Sequence, residues 1–204
     1  MGLRKIAIAL SLLLLIVGCE SRVESDKNST VTVEENRTEV SDRGIENNRS
    51  QKEEGLKFTI ETIDSKILHI EEIENGMLFD EFKDRAVMLI FFGYRCPPCL
   101  REIPRLNNLI SKHKDLKIVA FEVQGLDRDE LKRFVDSREI KYSVIEGLKY
   151  MKFISYIQSR AEWRGAIPFL IAINRRGEVQ FAHVGGMFEE DLEYIYREIT
   201  KGEI

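Results

Sequence analysis

The chain has 204 residues, a formal net charge of −4, three cysteines and three histidines. That length admits one domain or two small ones, and Lys and Arg are scattered among Asp and Glu instead of clustering, which argues against a nucleic-acid surface. Two of the cysteines, Cys96 and Cys99, are three residues apart, so a structural disulfide framework is excluded; a closed zinc site would have to recruit His69, His113 or His183 from a distance.

The N-terminus carries Arg4 and Lys5, then an almost unbroken apolar run from Ile6 to Val17. The run is short for a bilayer span and, with its basic start and small residue at Gly18, reads as a secretory signal over residues 1–18. Ile16-Val17-Gly18-Cys19 resembles a bacterial lipobox, which makes Cys19 the expected lipidation site and first mature residue. The alternative is an uncleaved N-terminal anchor, and either reading exports the remainder of the chain. From Glu20 to Gly55 there are ten acidic and six basic residues but only five aliphatic side chains. Such a segment cannot bury enough apolar surface to offset its ordering entropy, so residues 19–55 are expected to form a disordered tether with a reach of about 30 to 36 Å.

Regular patterning begins at residue 56, and residues 56–204 suit a single core. Phe58, Ile60 and Ile63, the turn residues Asp64-Ser65 and then Ile67 to Ile70 predict a β-hairpin. Glu71 to Arg85 is mixed, with a short helix expected around Leu78 to Phe82. Val87 to Phe92 is six apolar residues in a row, the pattern of a strand buried on both faces. Beyond the cysteines, Leu100, Ile103, Leu106, Leu109 and Ile110 recur at helical spacing up to about His113. Next come a strand from Leu116 to Val123, a helix from Asp127 to Ser137 capped by Asp127, a short strand from Tyr142 to Ile145, and a helix from Met151 to Arg160. Phe169 to Ile173, the turn Asn174 to Gly177 and Val179 to Val184 predict a second hairpin, before a last helix from Glu189 to Ile199. The order implies an α/β fold, a mixed central sheet flanked by helices on both faces.

A Cys-x-x-Cys on the first turn of a helix puts both side chains on one face, where a disulfide can close. Cys96 falls at the helix N-terminus, whose free N–H groups and dipole stabilise a thiolate. It is the expected nucleophile, with Cys99 as the resolving thiol. Pro97 suits the first helical position because its missing N–H has no partner to lose. Arg95 adds positive potential beside Cys96 or is simply a solvated cation. Ile167-Pro168 precedes a strand, a place where a cis peptide can shape a tight loop. Tyr94 and Trp163 are the aromatic residues expected nearest the cysteines; Phe91, Phe92 and Phe169 read mainly as core. His183 reads as a strand residue.

With the strand Val87 to Phe92, Cys96-Pro97-Pro98-Cys99, Glu102-Ile103-Pro104 and Gly165-Ala166-Ile167-Pro168 in that order, the chain resembles the TlpA/ResA-like branch of the thioredoxin superfamily over about residues 56–200. The resemblance implies a thioredoxin fold with an N-terminal hairpin extension, and an enzyme that needs no cofactor beyond a redox-active Cys96–Cys99 disulfide. It implies that Pro168 is the cis-proline opposite that disulfide, that Ile167 offers backbone to an extended substrate, with Tyr94 and Arg95 at the same surface, and that Glu102 tunes the cysteine pair. Two departures are Arg95, where an aromatic residue is common, and Ile90, where ordinary thioredoxins bury an aspartate; the latter leaves Glu102 as the better proton acceptor.

The partners implied are exported protein thiols and disulfides such as those of apocytochrome c, a membrane thiol electron donor, and a membrane reached through lipid on Cys19, in the bacterial periplasm or at the exterior of the cell envelope. Three other readings stay open: a dithiol oxidase or isomerase; a copper-delivering thiol chaperone with His183 as third ligand; and a non-catalytic adhesin on the same scaffold. A thiol peroxidase fits less well, because the Thr expected three residues before the reactive cysteine is Gly93.

Overall fold

The computed structural model describes residues 55–201. The expected signal segment, Cys19 and all of the tether except Gly55 lie outside the described residues. Among the described residues no helix is long and apolar enough to cross a membrane.

The centre is a five-stranded sheet of β4 (Ala86–Phe92), β5 (Leu116–Glu122), β6 (Ser143–Glu146), β7 (Phe169–Ile173) and β8 (Val179–Val184), in the order β6-β5-β4-β7-β8. β4, β5 and β6 run parallel, while β7 is antiparallel to both of its neighbours, as the alternation of strands and helices followed by a hairpin requires. The helices are α1 (Pro97–Lys112), α2 (Arg128–Ser137), α3 (Met151–Arg160) and α4 (Glu189–Thr200). Asp127 caps α2 as expected: its carboxylate accepts the Glu130 N–H at 2.8 Å, and Glu130 accepts the Asp127 N–H at 3.1 Å.

All seven residues of β4 are buried. Side chains alternate across a strand, so Ala86, Met88, Ile90 and Phe92 join a core with residues of α1, α2 and α4, whereas Val87, Leu89 and Phe91 join a second core with Phe153, Ile154 and Ile157 of α3. The second face also carries a three-stranded antiparallel sheet of β1 (Lys57–Glu61), β2 (Ile67–Ile73) and β3 (Gly76–Phe79), which contributes Ile60, Leu68, Ile70, Met77 and Phe79.

Sequence and structure differ at β3. Instead of a helix around Leu78 to Phe82, the chain forms a strand to Phe79 and a single 3-10 turn over Asp80–Phe82. Met77 and Phe79 are buried and Leu78 is exposed, a period of two that a four-residue stretch makes easy to miss. Glu74-Asn75 forms the two-residue β2–β3 turn, with Ile73 opposite Gly76. Gly76 has a further reason to lack a side chain: a Cβ there would lie 2.1 Å from the carbonyl oxygen of Gly177. That close approach lets Met77 N–H bond to Gly177 O at 2.8 Å and Val179 N–H to Asn75 O at 2.9 Å, stitching the small sheet to the β7–β8 turn.

Phe91 is fully buried, stacks on Phe121 and Phe169 and meets Trp163 at a tilt. Phe91→Ala should therefore lower the unfolding free energy by about 3–5 kcal/mol, measured by urea denaturation followed by circular dichroism.

Candidate active site

β4 ends at Phe92 and α1 begins at Pro97, so the four residues between them set where the cysteines stand. Three of their backbone N–H groups are held by neighbouring acceptors. Tyr94 N–H points at the carboxylate of Glu122 at 3.4 Å, Arg95 N–H donates to Gln124 Oε1 at 2.8 Å, and Cys96 N–H donates to Gly93 O at 3.2 Å. Glu122 is 1% exposed and also accepts the N–H groups of Gln124, Gly125 and Leu126 at 2.9 to 3.0 Å. A buried carboxylate holding several backbone donors fixes the loop beside the cysteines. Neither Glu122 nor Gln124 stands out in sequence reasoning; the available signal is the lone acid closing β5, a strand otherwise apolar after Lys117.

Cys96 is the N-cap of α1, and its Sγ accepts the Cys99 N–H at 3.3 Å. The two cysteines are joined in a disulfide with Cα atoms 5.2 Å apart, and both are buried. The Ile167–Pro168 peptide is cis, and the carbonyl oxygen of Ile167 lies 3.8 Å from Cys96 Sγ. Trp163 supports this turn: its indole N–H donates to Ala166 O at 2.7 Å while its ring stacks on Phe169 and lies tilted against Phe91. Cys96, Cys99, Ile167 and Pro168 thus come together in the structure. Tyr94 is half-buried, and the exposed Arg95 lays its guanidinium over the Tyr94 ring at 4.8 Å, forming one rim.

Glu102 lies one turn beyond Cys99, only 4% exposed. Its Oε1 accepts the Met187 N–H at 2.7 Å, and Arg105, one turn further, donates to the Met187 carbonyl. Burial pushes the Glu102 pKa up to about 7, against the opposing pull of the Met187 N–H and of Arg105. Tyr142 also has its pKa raised, first by burial and then by the charge of Glu102. The segment carrying Met187 reaches the rest of the site: Gly185 N–H donates to Pro168 O at 2.8 Å, and a Cβ on Gly186 would stand 3.4 Å from Pro98 Cβ. Met187 and its two preceding glycines are site residues that sequence reasoning missed, although the Gly185-Gly186 pair marks a close approach.

His183 does not join the cysteines as a donor; it lies on β8 with its ring near Phe181, centroids 6.1 Å apart. Among the described residues no three His, Cys, Asp or Glu side chains gather to hold a metal ion. At Gly93 a Cβ would come within 2.3 Å of the Gln124 side chain that accepts the Arg95 N–H, so the Thr of a thiol peroxidase would displace that support.

A central mixed sheet, a Cys-x-x-Cys pair at the start of a helix and a cis-proline turn against the first sulfur define a thioredoxin-fold protein built around a redox-active disulfide. The family model described as the AhpC/TSA family matches residues 66–182, and the chain belongs to that family. "Thiol-disulfide oxidoreductase ResA" of Halalkalibacterium halodurans is 27% identical over 152 residues, covering 74% of this chain and 77% of the relative. Among solved structures, a thiol:disulfide interchange protein of the thioredoxin family from Chlorobium tepidum superposes with a TM-score of 0.58 at 21% identity, covering 72% of this chain and 94% of its own. The exposed lipoprotein thioredoxin Etrx1 of Streptococcus pneumoniae gives a TM-score of 0.51 at 16% identity, covering 70% and 99%. The protein is a thiol-disulfide oxidoreductase of thioredoxin fold.

The raised pKa of Glu102 has a consequence for stability. Between the ordinary value of 4.5 and about 7 the folded chain keeps a proton that the unfolded chain has released, so this group's contribution is full below pH 4.5 and is lost as pH rises through 7. Glu102→Gln, which stays neutral, should gain roughly 2 kcal/mol over the wild type between pH 5 and pH 8, measured by denaturant unfolding at the two pH values.

Proposed function

We propose that the protein is an extracytoplasmic, membrane-tethered reductase of disulfides in exported proteins, such as the disulfide between the haem-attachment cysteines of apocytochrome c. The observation that carries the direction of transfer is the supply of hydrogen-bond donors at Cys96. Strong dithiol oxidants owe their potential to a stabilised reduced form. Here the first two helical residues, Pro97 and Pro98, have no N–H, which leaves the Cys99 N–H as the first donor that α1 can offer to Sγ. A thiolate at Cys96 therefore receives less stabilisation than a helix start with all of its N–H groups would give, and the buried carboxyl of Glu102, when ionised, opposes a second negative charge nearby. Both effects favour the disulfide form of the enzyme and hence electron donation to substrate.

In the proposed reaction Cys96 thiolate attacks a substrate disulfide, forming a mixed disulfide and releasing one substrate thiolate. Cys99 thiolate then attacks Cys96 Sγ, closing the enzyme disulfide and releasing the second substrate thiolate. Two electrons pass to the substrate, and a membrane dithiol restores the enzyme by the same exchange in reverse. Glu102, with a pKa near 7, holds or gives the proton that Cys99 exchanges at working pH. The backbone at Ile167 pairs with an extended substrate segment, and Tyr94 and Arg95 flank it. Membrane tethering is supported by the basic, then apolar N-terminus ending in Cys19 and by the likeness to the pneumococcal thioredoxin, an exposed lipoprotein. An oxidising compartment makes a dedicated reductant necessary.

A Cys99→Ser variant, unable to resolve the mixed disulfide, should accumulate covalent adducts with cytochrome c precursors, identified by mass spectrometry after non-reducing electrophoresis. Adducts with unrelated secreted proteins alone would overturn the substrate. The reduction potential of the Cys96–Cys99 pair should fall well below about −150 mV; a value above it would mark an oxidase.

A further inference from the structure

Phe188 is 65% exposed, more than any other large apolar side chain among the described residues. It also holds a position that its chemistry does not suit. It is the N-cap of α4, where Ser, Thr, Asp or Asn would accept a first-turn N–H, and its side chain accepts none. The helix start is held instead by Asp191, which accepts the Phe188 N–H at 2.9 Å, and by the acidic first turn Glu189 to Asp191. Neither burial nor capping accounts for a phenylalanine here.

The ring is nevertheless held in place. The Arg105 guanidinium lies over it, Cζ 5.1 Å from the centroid, and is itself bonded to the Met187 carbonyl. The ring also adjoins the redox site: Gly186, two residues earlier, stands against Pro98 between the cysteines, and Met187 covers Glu102. Arg105 follows Pro98 by two turns on the same face of α1, about 10 Å along the axis. Arg101, exposed one turn before Arg105, has no carboxylate at ion-pair distance among the described residues. The positive charge beside the ring therefore disfavours a cationic partner.

We propose that Phe188, backed by Arg105, is a specificity subsite for the polypeptide substrate, receiving a large apolar or aromatic side chain about three to five residues from the cysteine that Cys96 attacks. Continuity with the site favours the substrate over a second copy of the chain or a lipid surface: Pro98, Gly186 and Phe188 follow one another outward from the disulfide, so an extended chain whose sulfur reaches Cys96 needs only a few residues to reach the ring. The subsite rests on thiol-disulfide exchange at Cys96 and not on which exported protein is reduced.

The test uses the full chain, reduced, in detergent micelles, and short peptides closed by a Cys-Ala-Gly-Cys disulfide that carry Phe, Ala or Lys about four residues before or after the cysteines. Oxidation of the enzyme is followed by stopped-flow fluorescence of Trp163, the single tryptophan. In one of the two placements the Phe peptide should react on the order of tenfold faster than the Ala peptide, and the Lys peptide no faster. The advantage should vanish in Phe188→Ser and persist in Phe188→Tyr, while glutathione disulfide, too small to reach the ring, reacts equally with all three proteins. Because Ser is a better N-cap, the thermal midpoint of Phe188→Ser should not fall. A Phe advantage that survives Phe188→Ser, or none in the wild type, would overturn the proposal. So would slower reaction of Phe188→Ser with glutathione disulfide or a lower midpoint, either of which would make the ring structural. Loss of self-association, or of binding to phosphatidylglycerol vesicles, in Phe188→Ser with peptide rates unchanged would assign the ring to a second copy or to a membrane and overturn it as well.

Discussion

Cys96 has two roles that compete for the same atom. Its sulfur caps α1 by accepting the Cys99 N–H, and the same sulfur is half of the redox pair. A helix start leaves four N–H groups without intrahelical partners; two of those positions are prolines, so the third is committed to the cap. The start of α1, the position of Cys99 and the electrostatics of Cys96 therefore depend on one short contact. Its placement depends in turn on the end of β4, where Glu122 and Gln124 hold the Tyr94 and Arg95 N–H groups from the neighbouring strand end. A shift in that loop would change the thiolate's hydrogen-bond donor along with its position.

Much of this architecture is legible in the sequence because it rests on local signals. The six-residue apolar run predicts β4, the 3.6-residue recurrence predicts α1, and Asp127 predicts the start of α2; the structure agrees with each to within a residue or two. The cysteine pair and Ile167-Pro168 are likewise visible as motifs. β3 is not, since four residues carry too short a period and the mixed composition around Asn75-Gly76 obscures its turn signal. The covering of the second face is illegible for a different reason: nothing local in β1 to β3 says that they pack on Val87, Leu89 and Phe91 in place of a second helix.

The largest gap between sequence and site concerns the environment of Glu102. Its helical position alone suggests a carboxylate near a helix N-terminus with a modest dipole interaction, which would lower its pKa. Burial reverses the sign, and that burial is supplied by residues more than eighty positions away, where Met187 closes over the carboxyl and Arg105 holds the Met187 carbonyl. Long-range contacts of this kind leave no local pattern.

The same closure ties the parts of the site together. Gly185 is bonded to Pro168, Gly186 lies against Pro98 and Met187 is bonded to Glu102, so one short segment touches the cis-proline turn, the loop between the sulfurs and the buried acid. A carboxyl oxygen accepts a backbone N–H whether the group is ionised or protonated. Glu102 can therefore change its charge while the Met187 contact persists, and the scaffold around the disulfide need not rearrange when a proton moves. The cost of ionising a desolvated carboxyl then appears as a pKa raised to about 7. Burial without a cation at ion-pair distance among the described residues is what displaces this pKa: pairing the carboxyl fully with Arg105 would return it to the ordinary range and leave it ionised. In this arrangement Arg105 instead directs its hydrogen bond to the Met187 carbonyl, holding the lid over the acid without neutralising it.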